Sequence, residues 1–99
     1  MRTRLRTLHA AGRKYTWRAE IRHVSGHREV RLRAWGSGKN AQALQVDLRP
    51  TNPNHPLADN TYPTAADVRV IINEGLEQGW QPDAVGGTFT LQARTLEAG

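Results

Sequence analysis

Residues 62–91 read YPTAADVRVIINEGLEQGWQPDAVGGTFTL, and their succession of helix, stop and strand decides the architecture of the chain. Thr64 is a strong N-cap residue and Asp67 stands at the third helical position, where hydroxyl and carboxylate can satisfy each other's unpaired backbone N–H groups. At about 3.6 residues per turn, Ala65, Val68, Ile71, Ile72, Gly75, Leu76 and Gly79 share one face, while Asp67, Asn73, Glu74, Glu77 and Gln78 share the other. Gly79 supplies the left-handed residue that ends helices, and Pro82 prevents resumption. The spacing predicts a helix over 64–79, buried along one face, and a final strand over 88–94.

Upstream the period changes from helical to alternating. In residues 14–22, Tyr15, Trp17, Ala19 and Ile21 point one way, and Lys14, Thr16, Arg18, Glu20 and Arg22 the other, as in a half-buried strand. Val24, Ser25, Gly26 and His27 supply a hairpin turn, and residues 29–35 resume with Val30, Leu32 and Ala34 inward and Arg31 and Arg33 outward. Residues 5–10 read as a first strand closed by Ala11, Gly12 and Arg13. Residues 43–48 read as a fourth, with Leu44, Val46 and Leu48 on one side, entered through a polar turn over 36–40. Residues 49–63 hold four of the five prolines and read as an extended surface loop from the sheet edge to the helix. The predicted order is β-β-β-β-α-β, an α+β fold in which an antiparallel sheet of about five strands carries one amphipathic helix on one face. Tyr15, Trp17, Ile21, Val30, Leu32, Leu44, Val46, Phe89 and Leu91 are expected to meet the helix stripe, with Gly75 allowing close approach.

At 99 residues the chain suits a single domain, 1–99, with one modest core. It has no run approaching the about 20 apolar residues that cross a bilayer, and its N-terminus lacks an apolar secretory core, so a cytoplasmic setting is expected. The absence of cysteine excludes disulfides, thiolate nucleophiles and sulfur-based zinc sites. The net charge of +5 is divided unevenly. Residues 1–49 carry twelve Lys and Arg against Glu20, Glu29 and Asp47, a net of +9, while residues 50–99 carry Arg69 and Arg94 against six acidic residues, a net of −4. The strands over 1–48 are therefore the basic part, and such asymmetry points to an acidic partner.

The early combination of Gly12, Arg13, Tyr15, Trp17 and Arg18 is followed by Val68, Arg69, Ile72, Leu76, Gly79, Trp80, Pro82, Gly87, Phe89 and Leu91. On these residues the chain resembles a group of short uncharacterised bacterial proteins with an early GRxYxWR strand and a late helix ending in GWxP, followed by GxxFxL. The resemblance covers both ends of the chain and not the middle. It implies the fold and a bacterial, cytosolic setting, and it carries over no activity.

Among chemistry-bearing residues, His9, His23, His27 and His55 match no zinc spacing, although His23 and His27 flank a hairpin where two imidazoles can face each other. The carboxylates of Glu74 and Glu77 read as a solvated helix face and Asp67 as a cap; Ser25 and Ser37 stand in glycine turns without a nucleophile signature. No enzyme, catalytic residue, metal or cofactor is predicted. With the helix over Tyr15 and Trp17, the residues Arg18, Arg22, Arg31 and Arg33, joined by Arg4, Arg6 and Lys14, are expected on the opposite side of the sheet. Two readings of that basic face follow. One is a protein-interaction module, of adaptor or immunity type, docking an acidic protein. The other is a nucleic-acid-associated domain holding the phosphate backbone without sequence preference. The face lacks the interleaved aromatics of single-strand binders, Trp35 at a strand end being the one that can be exposed, and this favours the protein partner. An edge strand also offers a route to a homodimer.

Overall fold

The structure, a computed structural model, describes residues 5–36, 40–50 and 62–96, without the side chains of His27 and Leu96. Arg4, His55, the polar-turn residues 37–39 and the loop residues 51–61 lie outside the described residues, as does any role of the His27 imidazole. The elements run β1 (Arg6–Ala10), β2 (Arg13–Val24), β3 (His27–Trp35), β4 (Ala43–Pro50), α1 (Ala65–Gln78), β5 (Thr88–Thr90) and β6 (Arg94–Leu96). The class is α+β, as predicted: one sheet with one described helix on one face. No helix among the described residues is long and apolar enough to cross a membrane.

β1 to β4 form an antiparallel meander because each of the first two turns takes only two residues. Ala11 (φ 50°) precedes Gly12 (φ 77°), and Ser25 (φ 53°) precedes Gly26 (φ 79°). Paired positive φ values mark type I′ turns, whose twist matches that of the flanking strands. The sheet is mixed rather than wholly antiparallel, since β5 and β6 both run parallel to β4. The reason is the connection: the described helix α1 carries the chain back to the end where β4 began, so the next strand runs the same way. The strand predicted over 88–94 is also broken in two. Between the pairs Gln45↔Thr90 and Leu48↔Arg94, β4 has two residues and the returning chain three, so one extra residue interrupts the ladder as in a β-bulge.

The helix begins and ends as its sequence demands. Thr64 Oγ1 accepts from the Asp67 N–H at 3.2 Å while the Thr64 N–H donates to Asp67 Oδ2 at 2.9 Å, completing a capping box. Gly79 adopts φ 113°, and the N–H groups of Gly79 and Trp80 donate to Leu76 O and Gly75 O at 3.3 and 2.8 Å, closing the last carbonyls. Val68, Ile71 and Ile72 are buried against Tyr15, Trp17, Val30, Leu32, Leu44 and Val46. A Cβ placed on Gly75 would lie 2.8 Å from Leu44 Cδ1, so only glycine lets the helix approach β4 this closely.

Beyond the helix, Trp80 is buried against Tyr15, with ring centroids 5.6 Å apart, and its indole N–H donates to Gln42 O at 3.0 Å. The next residues bring Asp83 to Arg13 in a two-pronged ion pair, both contacts at 2.9 Å. The GRKYTWR and GWQP segments, far apart in the chain, thus meet in one corner where the first hairpin is tied to the end of the helix.

Candidate functional site

Strand parity and the two-residue turns decide which side chains share the face away from the helix. Directly opposed residues point the same way, and the pairs Thr16↔Trp35, Arg18↔Arg33, Glu20↔Arg31 and Arg22↔Glu29 run along the β2–β3 seam. Arg33↔Gln45 and Arg31↔Asp47 extend these rows onto β4. Lys14, Arg18, Arg22, Arg31 and Arg33 accordingly emerge together, as predicted, with Lys14 exposed and the arginines half-buried. Arg6 does not join them. The turn at Ala11 and Gly12 places Ala10 opposite Arg13 and therefore Arg6 opposite Trp17, on the helix-bearing side. There its guanidinium lies over the Trp17 and Tyr62 rings, at 5.7 and 5.9 Å from their centroids.

The arginines of the open face differ sharply in their partners. Arg31 grips Asp47 through Nε and Nη2, at 2.9 and 3.3 Å. This hydrogen bond, reinforced by the charge of Arg31, holds the Asp47 carboxyl below its ordinary range despite partial burial. Glu29 is buried and faces two guanidiniums, Arg49 Nε at 2.9 Å and Arg22 Nη1 at 3.6 Å. A recess of about 440 Å³ lies beside it, lined by Val24, Ser25, Arg28, Glu29, Arg49, Pro50 and Thr95. Arg49 belongs to the face although the sequence reading assigned it to the loop; its alternation with Leu48 was the available signal.

Arg18 and Arg33 have no acidic partner among the described residues. They oppose each other directly across the β2–β3 seam, and both guanidiniums lie over the ring of Trp35, at 5.6 and 5.7 Å. Arg33 Nη2 donates to Thr88 Oγ1 at 3.3 Å. Each Nε–H is buried without a hydrogen-bond partner. A third such Nε, of Arg94, belongs to a guanidinium already paired with Glu74 on the helix side, so Glu74 is less free than its place on the polar helix face suggests. Trp35 therefore stands among the cations rather than at their margin, and the parity of Arg31, Arg33 and Trp35 was the signal for it.

On the open face the described residues Lys14, Arg18, Arg22, Arg31, Arg33 and Arg49 stand against Glu20, Glu29 and Asp47, six positive charges to three negative. The excess is concentrated at the Trp35 end. His9 and His23 are exposed, and among the described residues no three His, Cys, Asp or Glu side chains gather as a metal site would require. In comparisons with known proteins, no family model matches the chain, and no curated protein or solved structure is significantly similar to it.

Proposed function

We propose that this chain is a small non-enzymatic interaction module of the bacterial cytoplasm that docks an acidic protein partner on the open face of its sheet. The observation that carries this reading is the pair Arg18 and Arg33, left without acidic partners beside Trp35 while Arg22, Arg31 and Arg49 are matched to carboxylates. Arginine and tryptophan are the side chains that most often dominate protein interfaces. The interleaved carboxylates argue in the same direction. A nucleic-acid backbone laid along the face would pass Glu20, Glu29 and Asp47, whereas a protein can place its own acids over the unmatched cations and keep the matched pairs under polar groups.

Trp35 gives the nucleic-acid reading one point in its favour, since a ring among cations is what a stacked base uses. An edge-strand homodimer has less support: two copies paired through β1 would bring Arg6 and Arg69 of each against the other's, so that edge suits an acidic segment better than a second copy. Anisotropy titrations separate the two main readings. A labelled acidic peptide and a mixed-sequence DNA are each titrated at low and moderate salt, with wild type and with an Arg18→Glu, Arg22→Glu, Arg31→Glu, Arg33→Glu variant. Peptide binding abolished in the variant, with DNA weak at both salts, supports the protein partner. Micromolar DNA binding that collapses with salt would replace it with the nucleic-acid reading.

A further inference from the structure

We infer that Arg18 and Arg33 together seat a single carboxylate of the docking partner, with Trp35 as the wall beside it. The inference rests on the docking reading above and narrows it from a face to one pair of residues. Like charges directly opposed across two strands are unfavourable, and the three other arginines of this face have carboxylate partners: Arg31 in Asp47, and Arg22 and Arg49 in Glu29. Arg18 and Arg33 are the one pair of arginines directly opposed along this seam, their row holds no carboxylate, and both leave a buried Nε–H without an acceptor. These two Nε–H groups are sealed under the side chains around them, so the donors a ligand can meet are the outer Nη–H groups, and the two oxygens of a carboxylate can be divided between two guanidiniums.

The donors are also held in place before any ligand arrives. Both guanidiniums rest on the Trp35 ring and Arg33 is tethered to Thr88, so little side-chain freedom remains to be lost on binding. The surroundings select the ligand's charge. Glu20 stands opposite Arg31 in the next row, with Asp47 on the strand beyond, about 7 Å along the strands from the seat. A monoanion is tolerated there, but a phosphate dianion or a chain of phosphates meets two carboxylates.

The test is NMR of the arginine Nε–H groups in the full chain, with acetate and inorganic phosphate as small probes and a labelled peptide carrying a single glutamate as the partner's stand-in. Acetate is expected to shift the Arg18 and Arg33 Nε–H signals and the Trp35 indole fluorescence, leaving Arg31 and Arg49 unmoved, with phosphate binding no tighter than acetate. Arg33→Lys, which keeps the charge and loses the planar guanidinium, should weaken the peptide about tenfold. Arg18→Gln should weaken it as much while leaving thermal stability equal to or above wild type, because it removes a like-charge contact. A purely structural arginine would instead lower the melting temperature and leave peptide affinity unchanged, and that result overturns the seat. Peptide binding that survives both variants but fails in Arg22→Gln with Arg49→Gln also overturns the seat, yet leaves the docking face standing. Phosphate binding tighter than acetate overturns the carboxylate assignment. Absence of binding by every probe overturns the seat and the docking reading together.

Discussion

Ala11 has a backbone conformation poorly suited to its side chain. It holds φ 50° at the first central position of the β1–β2 turn, where asparagine or glycine is favoured and alanine pays a steric penalty. Ala11→Asn is expected to raise stability by about 0.5–1 kcal/mol, read as a higher urea midpoint with an unchanged slope. Asp47 makes a different contribution, through charge. Its carboxyl is held below the ordinary range by Arg31, so the folded state resists protonation more than the unfolded chain. The stabilisation is complete above the ordinary carboxylate value of about 4 and is lost as pH falls through the lowered value. Asp47→Asn should remove about 1 kcal/mol at pH 7 and little at pH 2, so that the gap between variant and wild-type urea midpoints closes on acidification. A gap independent of pH would mean that packing, not charge, is what the carboxylate supplies. At this scale the alternation of β2 and β3 was readable because every apolar residue from Tyr15 to Ile21 keeps one parity. Arg6 was misplaced because parity alone cannot relate two strands; only the length of the turn between them does.

Among the elements, the helix was the most legible, since cap, stripe and stop all fall within residues 62–82 and each acts on its neighbours in the chain. Its seat on the sheet depends on one glycine. Gly75→Val should destabilise the protein by about 2–3 kcal/mol, because an added side chain would run into the methyl groups of Leu44, which is fully buried. Gly75→Ala should cost less, part of the clash being offset by alanine's better helix propensity. Chemical denaturation of the two variants distinguishes this from a simple propensity effect, which would make both more stable than wild type. The direction and the break of the last strands were not legible. Strand direction is set by how many times the chain crosses the sheet, and the extra residue between β5 and β6 appears only when the pairing to β4 is counted from both ends.

For the whole molecule, the division of charge was visible in the sequence, and so was the face that bears most of it. What composition could not show is how much of that charge the sheet neutralises for itself. Asp47 stands 16 residues from Arg31, and Glu29 stands 20 from Arg49 and one hairpin away from Arg22, so they become partners only when β2, β3 and β4 come into register. The same assembly gives the sheet two unequal margins. β1 pairs with β2 along five residues, and Arg69 Nε covers its outward carbonyl at His9 at 3.0 Å. On the other margin β5 and β6 hold β4 by three residues each, with the ladder interrupted between them. That rim is expected to open without the rest, so native-state hydrogen exchange should find its amides less protected than those of Val30 and Leu32. Equal protection throughout would mean that the sheet opens only as one unit. Because Thr88 tethers Arg33, each opening of the rim also loosens one of the two unmatched guanidiniums. A ligand that fixes Arg33 should therefore slow exchange at Thr88 and Thr90, and the C-terminal rim would report occupancy of a surface it does not itself form.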